Sequence, residues 1–137
     1  MSGSEEPVAA KETVEAIGSL WTQSRFECEF MGMPYVGTGC VGYDTTKKKF
    51  VGTWIDNMST YIALMEGDMD PATGTLVMRW KAPDPSGTIV AHRSETVSKG
   101  DSYTSTFYMG EGEGTKSMVI AMKRTGKKPV EAGTGKK

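Results

Sequence analysis

The side chains best suited to bind a ligand in this sequence are aromatic residues and methionines on alternating positions. Ten methionines occur among 137 residues, and because methionine is unbranched and polarisable, it packs against apolar molecules of varied shape. The methionines therefore predict an adaptable apolar cavity. The alternative is an ordinary filled core in which methionine completes the packing. The predicted ligand-binding residues are Trp54, Tyr61, Met65, Trp80, Phe107 and Met118.

Histidine and cysteine are too few and too scattered to indicate a metal or haem site. His92 is the only histidine, so a zinc site built from several histidines is impossible, and Cys28 and Cys40 lack the close spacing of a thiolate site. We therefore predict no metal and no cofactor. The two cysteines are expected to be free thiols, although a hairpin centred near Pro34 would let them face each other.

Carboxylates cluster at two points of the chain. Glu66, Asp68 and Asp70 alternate before a turn, but the full loop of a calcium site, with its terminal glutamate, is absent. Asp56 follows Trp54 by two residues and is either a buried acid at the mouth of a pocket or a turn residue that ends a strand. The second interpretation is favoured, because aspartate commonly bonds the backbone two residues on.

No motif typical of catalysis is recognisable. One histidine and two scattered cysteines provide no nucleophile elbow, and the segment 110–114 has glutamates where a phosphate-binding loop needs free amides and a lysine. An enzyme that acts on a molecule held in the apolar cavity is therefore a less favoured hypothesis than a binding protein or an interaction module. No catalytic residue is assigned.

The elements that must position these side chains are strands. Segments with two-residue alternation recur about every ten to thirteen residues and are separated by turn sequences, a spacing typical of an antiparallel meander. In the segment 50–55, Phe50, Gly52 and Trp54 point to one face and the intervening residues to the other. Gly52 then lies between two rings, where it leaves room for a neighbour or a bound molecule.

The first half of the chain shows the same pattern. From Leu20 to Phe30, an apolar face that includes Phe26 and Cys28 alternates with a charged face, as in a strand over a one-sided core. The segment 12–17 is predicted as a strand or as a short helix, since propensity does not decide between them. A strand is also predicted over residues 60–69.

These segments predict an all-β fold. Eight to nine strands form an antiparallel up-and-down meander that curls into a complete or incomplete barrel, because closure removes the exposed edges of an open sheet. The predicted organisation is a disordered tail at residues 1–10, a β-barrel domain at 11–125 and a second disordered tail at 126–137.

One run of residues resembles a known family. The pieces Gly32-Met33-Pro34 and Gly42-Tyr43-Asp44, followed by Val51-Gly52-Thr53-Trp54-Ile55-Asp56-Asn57-Met58-Ser59, resemble a bacterial domain of unknown function, the DUF1579 family. That family is similar in architecture to lipocalins and fatty-acid-binding proteins, which implies a lipocalin-like, calycin-type β-barrel. It has no assigned activity.

The resemblance also bears on assembly. Longer members of the family carry an additional strand upstream, so this barrel either closes with fewer strands or is completed by a second copy of the chain. Because unpaired strand edges commonly find a partner, we expect a homodimer.

The overall charge is nearly balanced. Sixteen basic and seventeen acidic residues give a formal net charge of -1, so neither nucleic acid nor an anionic membrane is an expected partner. The sequence has no recognisable signal peptide and no apolar run long enough to span a membrane, and the expected location is the cytoplasm.

Two functional hypotheses follow from these observations. The first is a lipocalin-like protein that binds a small apolar or amphipathic ligand inside the barrel. The second is a structural or interaction module that homo-oligomerises through an open barrel edge and binds no small ligand.

Overall fold

A computed structural model describes residues 8–124, and in this range the chain forms strands and no helix. The strands are β1 (Ala10–Ile17), β2 (Trp21–Phe30), β3 (Met33–Asp44), β4 (Lys49–Asp56), β5 (Ala63–Asp70), β6 (Thr75–Pro83), β7 (Ile89–Lys99), β8 (Ser102–Met109) and β9 (Thr115–Lys123). The first strand begins one residue before the predicted domain boundary. Most of both predicted tails, residues 1–7 and 126–137, lies outside the described residues.

The strands follow each other in the sheet as they do along the chain. Each is hydrogen-bonded to the next, so the order runs from β1 to β9, and consecutive strands pair antiparallel. The predicted all-β class and the antiparallel up-and-down meander are therefore confirmed. Over residues 8–124 the order is linear, with β1 and β9 at its two ends, which is the incomplete arrangement that the sequence allowed.

The chain divides into two compact units. Of the described residues, 8–66 form the N-terminal unit and 67–124 form the C-terminal unit. The N-terminal unit contains β1 to β4 and the first half of β5, and the C-terminal unit contains the rest of β5 and β6 to β9.

In the N-terminal unit, the segment 12–17 is a strand and not a helix. It pairs with β2 from Ala10↔Cys28 to Ile17↔Trp21, because its alternating side chains suit the two faces of a sheet. The turn that follows takes three residues, 18–20. Leu20 lies in this turn with 73% of its surface exposed, so it is not part of the apolar face of β2.

The turn between β2 and β3 fixes the positions of the two cysteines. Phe30 pairs with Met33, and the two residues between them, Met31 (φ 54°) and Gly32 (φ 79°), have left-handed backbone conformations. This is a type I′ hairpin turn, whose twist matches that of the flanking strands. In this register Cys28 lies opposite Tyr35 and Cys40 lies opposite Gln23, so the two free thiols do not face each other.

β3 and β4 approach closely because glycines replace side chains where an aromatic ring lies. The Trp54 indole covers Gly37, where an added Cβ would come within 2.7 Å of the ring atom Cε2. Phe50, Gly52 and Trp54 share one face, as predicted, since they pair with Tyr43, Val41 and Gly39.

The start of β5 differs from the prediction. The strand begins at Ala63 and not at residue 60, and residues 59–62 lie outside any strand. The Ser59 hydroxyl accepts a hydrogen bond from the Tyr61 backbone amide at 3.2 Å, which favours a local bend over continuation of the strand.

In the C-terminal unit, β6 to β9 pair in continuous registers except at one irregularity. Phe107 pairs with Met118, but the next residue, Tyr108, pairs with Lys116. Ser117 is the extra residue of this β-bulge, and its hydroxyl donates a hydrogen bond to the Phe107 carbonyl at 3.3 Å. Bulges of this kind bend a strand and change the direction of its side chains.

Few apolar side chains are fully covered. Among the hydrophobic residues that the structure describes, only Ala63 (7% exposed) and Met78 (4% exposed) are buried. Many others are half-buried on the sheet, so the described chain leaves apolar surface available for a further contact.

Candidate ligand-binding face

One side of strands β6 to β9 combines apolar and hydroxyl side chains. Antiparallel partners point to the same side of a sheet, so the register decides which residues lie together. Met78 pairs with Ser94, Ser94 with Phe107, and Phe107 with Met118, which places one row across four strands. We call this side the aromatic–hydroxyl face. Its central residues are Met78, Trp80, His92, Ser94, Thr96, Ser105, Phe107 and Met118.

An aromatic cluster forms one end of this face. The Trp80 and His92 rings are stacked, with centroids 5.5 Å apart and an interplanar angle of 6°. The Phe107 ring meets Trp80 edge-on at 6.3 Å. The His92 Nε2 atom lies 3.3 Å from the Ala82 carbonyl oxygen, so the imidazole is held by both its ring face and its edge. The three half-buried rings form a rigid apolar platform.

Hydroxyl groups occupy the centre of the face. Ser94 and Ser105 are each 7% exposed, and the Thr96 Oγ1 and Ser105 Oγ atoms are hydrogen-bonded at 2.6 Å. Serine is much smaller than Met78 and Phe107, its neighbours on either side, so Ser94 marks a low point between larger side chains. A ligand that packs on this face therefore meets apolar walls around polar groups.

The opposite side of the same strands has a different chemistry. Arg93 donates from Nε to Glu95 Oε2 at 3.0 Å and from Nη1 to the Gly112 and Glu113 carbonyls at 3.2 and 2.8 Å. Its guanidinium also lies 4.0 Å from the Tyr108 ring centroid. Arg93 thus holds the 110–114 segment against β7, and its donors are used on the side away from the aromatic–hydroxyl face.

The structure brings three of the six predicted ligand-binding residues together in the C-terminal unit. Trp80 and Phe107 are in ring contact, and Met118 is the strand partner of Phe107. Met118 is 49% exposed, so it is accessible at the rim.

The other three predicted residues belong to the N-terminal unit. Trp54 is half-buried, and the Met65 methyl lies 3.4 Å from the position of a Cβ added at Gly52. The space expected at Gly52 is thus occupied by neighbours. Tyr61 is 37% exposed and precedes β5, so it is not on a strand face.

A hydrogen-bonded cluster surrounds Trp54. Trp54 Nε1 donates to the Tyr35 hydroxyl at 3.1 Å and to Asp56 Oδ2 at 3.2 Å, and the Tyr35 hydroxyl donates to the same oxygen at 2.9 Å. Asp56 Oδ1 accepts from the Met58 amide at 2.9 Å. Asp56 is therefore a turn residue, the interpretation that the sequence favoured, and its half-buried carboxylate also accepts from Trp54 and Tyr35.

The environment of Tyr35 affects its ionisation. Burial raises the pKa of the Tyr35 phenol well above its ordinary value, and the hydrogen bond to Asp56 and the negative charge of that residue raise it further, while the bond from Trp54 opposes them. The neutral phenol is the form that this cluster stabilises. These hydrogen bonds favour a structural role for the cluster, in which it holds β3 and β4 together.

The N-terminal unit also has an open groove of about 410 Å³, lined in part by Ala10, Cys28 and Tyr35. Its wide opening would leave much of a small molecule in water, whereas ligand sites bury most of the ligand surface. None of the six predicted ligand-binding residues lines it. The aromatic–hydroxyl face is therefore the stronger candidate site.

Within residues 8–124, no group of three or more His, Cys, Asp or Glu side chains is placed to hold a metal ion. Across the same range, no helix has the length and hydropathy required to cross a bilayer.

The family of the chain follows from comparison with known proteins. A family model described as a protein of unknown function (DUF1579) matches residues 1–125. The chain belongs to the DUF1579 family. No curated protein and no solved structure matches the chain. The candidate site of this DUF1579 protein therefore rests on its own geometry.

Sequence reasoning missed part of the site. The alternation of His92, Ser94 and Thr96 along β7 was visible in the sequence, but the register that places Ser105 against Thr96 was not. The link between Tyr35 and Asp56 was hidden for the same reason, because the two residues are 21 positions apart. Pairings of this kind depend on turn geometry as well as on local pattern.

Proposed function

We propose that this DUF1579 protein is a lipocalin-like binding protein for a small apolar or amphipathic molecule. The observation that carries the proposal is the aromatic–hydroxyl face, where the Trp80, His92 and Phe107 rings adjoin the buried hydroxyls of Ser94 and Ser105. Ligand sites typically combine apolar walls with a few polar groups that orient the ligand.

The side chains on this face suit a guest of variable shape. Met78 and Met118 are flexible and polarisable and can adjust to different apolar chains, while the stacked rings supply a fixed surface. The cytoplasm remains the proposed location, and free Cys28 and Cys40 thiols suit a reducing compartment.

A titration with Nile red, an uncharged dye whose emission increases in apolar surroundings, tests the proposal. We expect saturable binding by the wild-type protein and at least about tenfold weaker binding by Trp80→Ala, which removes the largest ring of the platform. Trp21→Ala is the matched control, because Trp21 lies in the N-terminal unit on β2.

Two results would contradict the proposal: no saturable binding by the folded wild-type protein, or equal loss of affinity in both tryptophan variants. Phe107→Leu provides a milder second variant should Trp80→Ala unfold. Circular dichroism and thermal unfolding of each variant separate a loss of binding from a loss of structure.

The end of the strand order favours a second candidate function, assembly with another copy of the chain. β1 is a terminal strand, and it leaves two apolar side chains exposed, Val14 at 46% and Ile17 at 49%. An exposed apolar edge strand is a template for pairing with another strand. We propose that two copies associate through β1, as the resemblance to longer family members suggested.

Sedimentation velocity tests this second candidate. We expect the wild-type protein to form a dimer at micromolar concentration and Val14→Lys to shift it to monomer, because a charge on an edge strand opposes pairing. Leu20→Lys, a control in the adjacent exposed turn, should leave the dimer intact. A wild-type protein that stays monomeric at all concentrations would rule the assembly out.

A further inference from the structure

Among the residues that the structure describes, the Ser94 hydroxyl is buried without a hydrogen-bond partner. Its residue is 7% exposed, and no hydrogen bond of its Oγ atom is found among residues 8–124. Buried hydroxyls are rarely left unpaired, because losing hydration without a replacement bond costs free energy. The position of Ser94 between Met78 and Phe107 directs this side chain to the aromatic–hydroxyl face. A ligand bound on that face would supply the missing hydrogen-bond partner.

A second polar group lies next to it. Thr96 is two residues along β7 and shares a hydrogen bond with Ser105. In such a pair one hydroxyl hydrogen is used, so one donor and several lone pairs remain. The centre of the face thus offers both donors and acceptors to a ligand that carries a polar head.

The face has no acidic or basic strand residue that could pair with a charged head group of the ligand. The residues at its alternating positions on β6 to β9 include no Lys, Arg, Asp or Glu. The basic residues of these strands, such as Arg79 and Arg93, fall at positions of the opposite side, and Arg93 already binds Glu95. His92, the one histidine of the face, is stacked on Trp80 and has its Nε2 atom 3.3 Å from the Ala82 carbonyl oxygen.

From these observations we propose that the ligand of this face is an uncharged amphiphile with an alcohol or carbonyl head, and that Ser94 Oγ is its hydrogen-bond partner. The inference rests on the proposed binding function and narrows its ligand class. A carboxylate head would lose hydration here without gaining a counterion, which disfavours fatty acids. An alcohol can both donate and accept, so it matches a serine hydroxyl in either role.

Displacement of Nile red at about pH 8 tests the inference with two probes of equal chain length, 1-decanol and decanoate. We expect decanol to bind at least about tenfold more tightly than decanoate. Ser94→Ala should weaken decanol binding by about threefold to tenfold, the value of one hydrogen bond, once each displacement curve is corrected for that protein's own affinity for Nile red. Ser24→Ala, at a half-buried position on β2 in the N-terminal unit, is the control.

The outcomes separate this inference from the function on which it rests. Saturable Nile red binding with decanoate as tight as decanol would overturn the inference and leave the binding function standing. Decanol binding that is the same in Ser94→Ala and wild type would show that Ser94 does not bind the ligand and would overturn the inference. Absence of any Nile red binding would overturn both. Ser94→Val, which fills the low point of the face, is the second variant and should exclude decanol by bulk.

Discussion

Trp54 illustrates how single residues hold β3 and β4 together. Its ring lies on Gly37, and its Nε1 group joins Tyr35 to Asp56. A larger residue at Gly37 would displace the ring, and loss of the carboxylate would leave two half-buried donors without their shared acceptor. The segment 51–59, which carries the family resemblance, therefore has a structural role around Trp54 that does not depend on a ligand.

The pKa of Tyr35 predicts a pH dependence of stability. Because burial raises this pKa above its ordinary value near 10, the folded protein retains the phenol proton where the unfolded chain loses it. The stabilisation that the buried Tyr35 phenol contributes to the free energy of unfolding is complete below about pH 10. It declines above that pH, with a limiting slope of about 1.4 kcal/mol per pH unit. Urea unfolding at a series of pH values from about 8 to 11 measures it.

Tyr35→Phe provides the comparison. The variant should be less stable at about pH 8, because Trp54 and Asp56 lose their hydroxyl partner, and the difference from wild type should shrink as the pH rises. Tyr43→Phe, on the same strand and half exposed, should keep the wild-type profile. A constant difference between Tyr35→Phe and wild type across the range would contradict the account of this residue.

At the scale of elements, the β2–β3 turn contains a strained backbone conformation at Met31 that a substitution can relieve. Met31 has φ 54° and is 85% exposed, and a non-glycine side chain in this conformation costs about 1–2 kcal/mol. Asparagine tolerates it and is preferred at the first position of a type I′ turn. We expect Met31→Asn to raise the free energy of unfolding by about 0.5–1 kcal/mol, measured from the urea midpoint.

Met58→Asn is the matched control for that turn. Met58 is 45% exposed and lies in the loop between β4 and β5, and its φ is not positive. It should gain no stability from the same exchange. An unchanged or lower urea midpoint for Met31→Asn would show that backbone conformation does not limit this hairpin.

The approach of β5 to β6 depends on Gly67. A Cβ added there would overlap the Val77 carbonyl oxygen and come within 2.8 Å of the Met78 Cα atom. Both are backbone atoms, so the strands must separate to accept a side chain. We expect Gly67→Ala to lower the free energy of unfolding by about 1–3 kcal/mol in urea titrations.

Leu64→Ala shows whether the effect at Gly67 is specific. Leu64 lies on the same strand with 70% of its surface exposed, and its truncation should change stability by less than about 0.5 kcal/mol. Equal stability of Gly67→Ala and wild type would mean that β5 and β6 are not as close as described.

The elements were more predictable from the sequence than their contacts. Alternation located β4 and β7 because apolar and polar residues there follow the two faces of a strand. It failed at Leu20 and Tyr61, where apolar residues lie in turns and the pattern continues past the end of the strand. The segment 12–17 was ambiguous because only its pairing with β2 makes it a strand.

At the scale of the whole molecule, the described residues leave much apolar surface without protein cover. Apart from Ala63 and Met78, the hydrophobic side chains of residues 8–124 are half-buried or exposed. A sheet normally buries one face against another layer. A bound molecule on the aromatic–hydroxyl face and a second copy at β1 are two ways to supply that cover, and they are compatible with each other.

The candidate site was only partly predictable. Three of the predicted residues, Trp80, Phe107 and Met118, do lie together because their strands are neighbours in the meander. The burial of Ser94 could not be read from the sequence, since a serine on a strand is ordinarily hydrated or bonded nearby. That this hydroxyl is buried with no partner among residues 8–124 is a property of the folded chain.

Methionine methyl NMR tests the central claim most directly, because the ten methionines report from both units. The protein is labelled with ¹³C at the methionine methyl groups and titrated with 1-decanol at about pH 8. The account predicts saturable shifts at Met78, Met109, Met118 and Met122, which lie on the aromatic–hydroxyl side of β6, β8 and β9, with Met31, Met33 and Met58 unaffected. Shifts confined to the latter three residues, or no shifts at all, would contradict it.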